Sequence, residues 1–203
     1  MQLLLSVPDR QRGLTLIELM VTLSVLALLA MVATPSFRSQ LAASALTSAT
    51  TELQSTLART RADAVRLGSR VSVCASGGSS TACGDASTTW NNGWLVFRDA
   101  TRQTSASVAT VDSGEEISHV VNPLPPELVA VGSTATSLNN YVSYAADGRA
   151  RSYGGAMQAG TIRVCSKSSA LTDDTRARDL VIQSTGRVVL TRPTGIAATC
   201  PAP

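Results

Sequence analysis

The chain has 203 residues, of which 44% are hydrophobic, 15% charged and only 3% aromatic, and its formal net charge is +3. This length suffices for one domain with its own core beyond a membrane segment, but not comfortably for two. The small net charge does not establish a polyanion as a partner. The abundance of Ser, Thr, Ala and Gly suits an exported β-rich domain better than a cytosolic enzyme.

The N-terminus joins a basic segment to a long apolar one. Arg10 and Arg12 precede Gly13, and residues 14–33 carry no charge apart from Glu18. A helix of about 20 residues is roughly 30 Å long, which matches the hydrocarbon core of a bilayer. Because basic residues favour the cytoplasmic side, we expect the short N-terminus to stay inside and the rest of the chain to lie outside.

Glu18 needs a partner, because an ionised carboxylate in hydrocarbon costs several kcal/mol. Cleavage between Gly13 and Leu14 would create an α-ammonium four residues before Glu18, on the same chain or on an adjacent one. Two alternatives compete. An ordinary secretory signal cut near residues 31–33 does not explain Glu18, and a plain single-span anchor leaves it unpaired.

The helical pattern continues after Pro35 to Leu67, and Gly68 stands where a glycine commonly ends a helix. Charged residues fall largely off the apolar stripe, so we predict an amphipathic helix packed on a sheet. The stripe comprises Leu46, Leu53, Leu57 and Ala64.

Beyond Gly68, short β-prone runs alternate with turn residues and predict an antiparallel sheet or two. Asp147-Gly148 and Thr185-Gly186 are turn signals, the second of which would join the last two strands into a hairpin. The predicted strands are residues 71–74, 94–98, 117–121, 141–144, 161–165, 179–183 and 187–191.

The four cysteines are Cys74, Cys83, Cys165 and Cys200. An even number in an exported chain favours disulfides, and the chain order suggests Cys74 with Cys83 and Cys165 with Cys200, although three pairings are formally open. Zinc is the weaker alternative, because the sequence contains no CxxC pair and only one histidine, His119.

Nothing in the sequence supports catalysis, and no cofactor or metal is predicted. Trp90, Trp94 and Phe97 could form a base-stacking or sugar-binding platform, but in a chain so poor in aromatics we interpret Trp94 and Phe97 as core and Trp90 as a loop cover. The acidic doublets at 115–116 and 173–174 are interpreted as solvated loop charges rather than a Ca²⁺ site.

Gly13, Leu14, Thr15 and Glu18 resemble the type III signal of type IV pilins and type II secretion pseudopilins. Residues 71–74, 90–99 and 185–187 look like the GspH/FimT family of minor pilins and pseudopilins. The resemblance implies an α+β pilin fold, with a long N-terminal α-helix packed on an antiparallel β-sheet head domain. The implied parts are a leader peptide (1–13), a transmembrane and filament-core helix (14–34), an amphipathic helix (35–68) and a β-rich head (69–203).

The resemblance also implies how the protein is processed, where it is located and what it assembles with. A prepilin peptidase would cleave after Gly13 and methylate Leu14, and Glu18 would set the register of assembly with other major and minor pilins or pseudopilins. The protein would sit in the bacterial inner membrane with its head in the periplasm before assembly. We expect a minor pilin that acts in pilus assembly at or near the tip; a type II secretion pseudopilin is the alternative.

Some FimT-like members bind DNA for natural transformation through a C-terminal Gly-Arg-x-Arg motif. Here Gly186 and Arg187 match it, and Val189 stands in place of the second arginine. A candidate surface for double-stranded DNA lies on or beside the last hairpin. The alternative is a set of scattered charges offset by nearby acids. The candidate arginines are Arg176, Arg178, Arg187 and Arg192.

Overall fold

The computed structural model describes residues 15–101, 108–133 and 138–203, apart from the side chains at 32, 33 and 35. The chain divides into two compact units, Met1–Arg38 and Ser39–Pro203. One helix, α1 (Leu16–Leu67), begins in the first unit and ends in the second. It ends where the sequence predicts, since Gly68 follows with a φ of +60° and its N–H donates to the carbonyl oxygen of Val65 at 3.3 Å.

The part of α1 in the first unit exposes apolar side chains. Leu16, Leu28 and Met31 are 77%, 65% and 77% exposed. Among the described residues no single straight helix is both long and apolar enough to cross a bilayer. Two segments of α1, Leu16–Met31 and Ser36–Leu67, form a bent pair that meets the requirement of length and composition when taken together. An apolar surface of this extent is normally covered by lipid or by other protein chains.

In the second unit, eight strands of the described chain form two four-stranded antiparallel sheets. The first sheet has the order β3-β2-β1-β5 and the second has the order β4-β6-β7-β8. The strands are β1 (Val71–Ala75), β2 (Trp94–Arg98), β3 (Ile117–Val121), β4 (Leu128–Gly132), β5 (Tyr141–Tyr144), β6 (Gly160–Ser166), β7 (Ala177–Ile182) and β8 (Val188–Thr191).

The core of the second unit lies between α1 and the two sheets. The predicted apolar stripe of α1 is fully buried and belongs to one cluster with side chains of both sheets. A second cluster, built on the stacked rings of Tyr141 and Tyr153, contains Cys74, Leu95 and Phe97. The first cluster includes Leu46, Leu53, Leu57 and Ala64 of α1, Val73, Val96 and Val142 of the first sheet, and Ala130, Ile162 and Leu180 of the second.

Two disulfides close loops of this unit. Cys74 at β1 is bonded to Cys83, nine residues on, and Cys165 on β6 is bonded to Cys200, 35 residues on. This is the pairing that the chain order suggests. The second disulfide holds the segment after β8 against β6, where Cys165, Ala177 and Cys200 form a small buried cluster.

Candidate assembly segment and basic surface

Glu18 lies in the first turn of α1, and its side chain is exposed. The backbone N–H of Glu18 donates to Oγ1 of Thr15 at 3.3 Å, so Thr15 caps the helix and fixes where it begins. A carboxylate in the first turn also interacts favourably with the helix dipole. Gly13 and Leu14, the predicted cleavage and methylation sites, lie outside the described residues.

The structure separates the four candidate DNA-binding arginines, and Arg176 has a different role from the one predicted. Its side chain is only 6% exposed and forms an ion pair with Asp173 at 3.0 Å. Its remaining N–H groups donate to the carbonyl oxygens of Ser166, Ser168 and Leu171 at 3.1, 3.1 and 2.6 Å. A guanidinium that already donates to four protein oxygens stabilises the β6–β7 connection and is not available to a phosphate.

Arg178 and Arg192 lie at the open end of the last hairpin. The register of β7 and β8 pairs Asp179 with Thr191, which places Arg178 and Arg192 opposite each other one position further on. Burial, and then the charge of Arg192, lower the pKa of Arg178. The Arg178 side chain also donates to the carbonyl oxygen of Ala177 at 2.7 Å, so of this pair Arg192 presents the exposed cation.

Arg187 lies at the other end of the hairpin, in the turn between β7 and β8, where it is exposed. This turn touches the turn after β5: Gly186 has a φ of +81°, and a Cβ added to it would overlap the carbonyl oxygen of Gly148. Arg61 of α1 joins them, donating to the carbonyl oxygens of Gly148 at 2.9 Å and Thr185 at 3.1 Å. The structure therefore brings Arg187 beside a second basic turn rather than beside Arg192.

That second turn carries arginines that the sequence analysis missed. Arg149 is exposed and Arg151 is half-buried, and both lie within 4 Å of the Asp147 carboxylate, at 3.8 and 3.6 Å. Gly148-Arg149-Ala150-Arg151 has the residue types Gly-Arg-x-Arg, which was the signal available in the sequence. From the sequence, Asp147-Gly148 indicates only a turn. We call Arg149 and Arg187, together with Arg61 of α1, which binds both of their turns, the basic turns.

The Trp-Asn-Asn-Gly-Trp segment is structural. Trp90 and Trp94 are fully buried, so the expectation that Trp90 covers a loop is wrong. Trp90 Nε1 donates to the carbonyl oxygen of Leu138 at 2.8 Å, and Oδ1 of Asn91 accepts the N–H of Ala130 on β4 at 2.6 Å. The segment therefore ties the first sheet to the second, and it offers no exposed ring for stacking on a base or sugar.

The acidic doublets are also engaged within the protein. The carboxylate of Glu115 accepts the backbone N–H groups of Ala100, Thr101 and Asp112 at 2.9 to 3.1 Å. Asp173 pairs with Arg176, as described above. A cavity of about 300 Å³ lies between residues 76–80 and 120–123, and the described residues that line it include no ionisable side chain. Among the described residues that line it, none forms an arrangement of nucleophile, base and oxyanion donors.

An N-terminal helix that is apolar and exposed in its first part, and buried against antiparallel sheets in its second, defines a pilin-like protein. The N-terminus matches the prokaryotic N-terminal methylation motif over residues 8–34, and the second part of the chain matches the model of type II transport protein GspH over residues 49–186. The chain belongs to the GspH family, whose members are structural minor pilins and pseudopilins.

Two crystal structures of the type IV minor pilin FimU of Pseudomonas aeruginosa resemble this chain, both at 20% identity. One has a TM-score of 0.49 and covers 75% of this chain and 95% of FimU; the other has a TM-score of 0.47 and covers 74% and 99%. No curated protein sequence matches this chain.

Proposed function

We propose that this protein is a minor pilin, a subunit that takes part in the assembly of a type IV pilus at or near its tip. The observation that carries the proposal is the union of an N-terminal methylation motif with a GspH-type second part in one chain. The helix would pack among the helices of neighbouring subunits. The sheets would face outward and contact other subunits.

The N-terminal chemistry follows from the motif. A prepilin peptidase cleaves between Gly13 and Leu14 and methylates the new amino group of Leu14. The leader (1–13) is lost, residues 14–34 span the inner membrane before assembly, residues 35–68 continue the helix, and the head (69–203) lies in the periplasm. The ammonium and the Glu18 carboxylate attract each other strongly in hydrocarbon, which favours one axial register between adjacent helices.

Mass spectrometry of the mature chain tests the processing step. We expect an N-terminus at Leu14 carrying one methyl group. An intact Met1, or an N-terminus near residue 34, would contradict the proposal.

The assembly step is tested by Glu18→Ala, which we expect to leave the head folded and to reduce the filament-bound fraction. Glu52→Ala is the matched control, because Glu52 is an exposed carboxylate on the same helix but in the second unit. Equal incorporation of Glu18→Ala and the wild type would show that Glu18 has no part in assembly.

A type II secretion pseudopilin is the alternative form of the same function, and no residue named above distinguishes the two. Deleting the gene separates them by phenotype. Loss of surface pili with normal protein secretion supports the pilus subunit, whereas loss of secretion with normal pili supports the pseudopilus.

The basic turns favour DNA binding as a second function. Arg149 and Arg187 are exposed on turns that touch, and Arg61 lies against both through its bonds to Gly148 and Thr185. Each guanidinium can neutralise one phosphate, so we expect weak binding of double-stranded DNA without sequence preference, with a Kd of roughly 10⁻⁴ to 10⁻⁶ M that rises steeply with salt.

Fluorescence anisotropy with labelled duplex DNA tests this second function on the unit Ser39–Pro203, which contains the core and both disulfides. The double variant Arg149→Gln with Arg187→Gln should weaken binding about tenfold or more. Arg178→Gln with Arg192→Gln removes the same charge at the other end of the hairpin and is the control. Equal losses in the two variants would place DNA binding elsewhere or make it a general charge effect.

A further inference from the structure

Asp147 is an acid within the basic turns. It lies in the turn after β5, and about half of its side chain is exposed. Its carboxylate is 3.8 Å from Nε of Arg149 and 3.6 Å from Nη2 of Arg151. In the described part of the chain, no other carboxylate lies within 4 Å of an arginine of these two turns, and Arg187 has no acidic partner at that distance. Asp147 therefore acts on one turn and leaves the charge of the other unpaired.

The two carboxylate oxygens of Asp147 have different partners. Oδ1 accepts the backbone N–H of Arg149 at 3.0 Å. This bond supports a turn in which the N–H of Gly148 donates to the carbonyl oxygen of Ala145 at 2.8 Å. Oδ2 is the oxygen nearest to the two guanidinium groups. One oxygen therefore holds the turn, and the other carries the attraction between charges.

The attraction at Oδ2 lowers the positive potential of the two arginines without occupying their N–H donors. Distances of 3.6 and 3.8 Å exceed that of a hydrogen bond. Arg151 uses Nη1 for the carbonyl oxygen of Gly155 at 3.3 Å and has further donors left. The backbone N–H of Arg149, and then the charges of Arg151 and Arg149, lower the pKa of Asp147, so the carboxylate is ionised at neutral pH. A phosphate that approaches these arginines therefore meets an anion beside them.

A further arginine, Arg70, lies behind this turn. Its Nη1 donates to the hydroxyl oxygen of Ser143 at 2.6 Å and to the carbonyl oxygen of Arg151 at 3.1 Å. Its guanidinium lies over the ring of Tyr153, 5.5 Å from the centroid, and its charge acts on the buried Asp99. Arg70 is therefore held within the protein and is not presented to a phosphate.

We propose that Asp147 is a built-in counterion that limits the affinity of the basic turns for duplex DNA. While Asp147 is ionised, it offsets the charge of Arg151, so that this arginine does not neutralise a phosphate. The inference rests on the DNA binding proposed above and names the residue that sets its strength. Weaker binding within one site mainly means faster dissociation, so the head releases DNA more readily than the same arginines would without the acid.

Asp147→Asn separates the two roles of this side chain. The amide oxygen accepts the N–H of Arg149 as Oδ1 does, whereas the amide NH₂ in place of Oδ2 carries no negative charge. Fluorescence anisotropy of the unit Ser39–Pro203 with labelled duplex DNA measures the result. We expect the Kd to fall about threefold to tenfold at about 0.1 M salt, and its dependence on log salt to steepen by about one, because Arg151 then neutralises a further phosphate. A gain in affinity does not arise from loss of the fold.

Arg151→Gln in both backgrounds tests whether the effect passes through Arg151. In the wild-type background the Kd should change less than about twofold, because Asp147 already offsets this charge. In the Asp147→Asn background the same substitution should raise the Kd and return the salt dependence to that of the wild type. Equal effects in the two backgrounds would overturn the inference.

Asp85→Asn is the matched control. Asp85 is exposed and its Oδ1 accepts the backbone N–H of Ser87 at 2.9 Å, so the substitution removes the same charge from the same kind of turn. Asp85 lies in the loop after β1, whereas Asp147 lies near the start of β1, because Tyr144 pairs with Val71. The length of β1 is roughly 13 Å, which exceeds the Debye length of about 10 Å at 0.1 M salt. We expect the Kd of this control to change less than about twofold.

The outcomes distinguish this inference from the function on which it rests. An Asp147→Asn variant with the Kd and the salt dependence of the wild type would overturn the inference and leave DNA binding in place. An equal gain from Asp85→Asn would also overturn it, since the gain would then be a general effect of charge. If neither the wild type nor Asp147→Asn binds duplex DNA at up to about 1 mM protein, DNA binding itself is wrong and the inference is wrong with it.

Discussion

Arg61 on α1 donates a hydrogen bond from Nε to the carbonyl oxygen of Gly148 at 2.9 Å, and its Nη2 reaches the carbonyl oxygen of Thr185 at 3.1 Å. Gly148 follows a strand of the first sheet, and Thr185 lies in the hairpin of the second. One side chain of the helix therefore fixes turns from both sheets.

Arg61→Ala should lower the free energy of unfolding of the second unit by about 2 kcal/mol, because two hydrogen bonds from a charged donor to backbone carbonyl oxygens are lost from a partly buried site. Arg59→Ala, an exposed arginine two residues earlier on the helix, is the control and should change the value by less than about 0.5 kcal/mol. Urea unfolding followed by circular dichroism measures both. Equal effects would mean that the two hydrogen bonds of Arg61 contribute no measurable stability.

Gly186→Ala should destabilise the same unit more than Gly195→Ala. Both glycines have a positive φ, +81° and +69°, which strains any other residue. At Gly186 the added Cβ would also overlap the carbonyl oxygen of Gly148, whereas at Gly195 it would meet open space. We expect about 1 kcal/mol for Gly195→Ala and at least about 2 kcal/mol for Gly186→Ala in urea unfolding. Similar values would show that the two turns separate at little cost.

Arg176→Gln should affect stability and not DNA binding. The buried guanidinium pairs with Asp173 and donates to three backbone carbonyls, so its loss leaves buried acceptors without donors. We expect a loss of about 3 kcal/mol in the free energy of unfolding, with the Kd for duplex DNA unchanged at a temperature where the variant is folded. A large rise in that Kd with unaltered stability would show that Arg176 does contact DNA.

The sequence predicted most of the fold because local patterns govern it. The seven-four-seven spacing of Leu46, Leu53, Leu57 and Ala64 is a helical property, and all four side chains are buried. Strands β1 to β3 and β5 to β8 lie on predicted runs. The sequence does not predict β4, because Pro125 and Pro126 before it favour a loop. The edge of β4 is held by Asn91, which is 39 residues from Ala130 and therefore outside any local pattern.

The basic site was only partly predictable, because it depends on long-range contacts. Arg176 and Arg178 are neighbours of Arg187 in sequence, yet one is buried and the other lies at the far end of the hairpin. The partner of Arg187 is a turn about 40 residues earlier, and it is near because Arg61 binds both turns. Arginines that are close in sequence do not form one cluster in the structure, and no periodicity in the sequence indicates which turns touch.

The two disulfides should differ in their effect on stability. In the chain-entropy model the loss grows with the length of the closed loop, and the separations are 35 residues for Cys165–Cys200 and nine for Cys74–Cys83. The model gives about 4 kcal/mol and about 2.5 kcal/mol. Urea unfolding of the two double Cys→Ser variants compares them. A larger loss for Cys74–Cys83 would mean that contacts in the folded state outweigh loop entropy.

Asp99 should make the second unit less stable as the pH rises. Its side chain is buried and its Oδ2 accepts the Ser72 hydroxyl at 3.1 Å. Burial raises the pKa of Asp99, and hydrogen bonds from Tyr153 and Ser72 offset this only in part. In the unfolded chain the pKa is about 3.9, so between the two values the folded state binds more protons than the unfolded state.

The stability contributed at this site is therefore fully present below about pH 4 and falls as the pH rises through the folded pKa. Asp99→Asn removes the titration, so the free energy of unfolding of the variant minus that of the wild type should increase with pH across this window. Urea unfolding between about pH 3.5 and pH 7 measures the difference. The exposed Glu127→Gln is the control for a general charge effect. A difference that stays constant, or that shrinks as the pH rises, would show that the buried carboxylate is not destabilised by its surroundings.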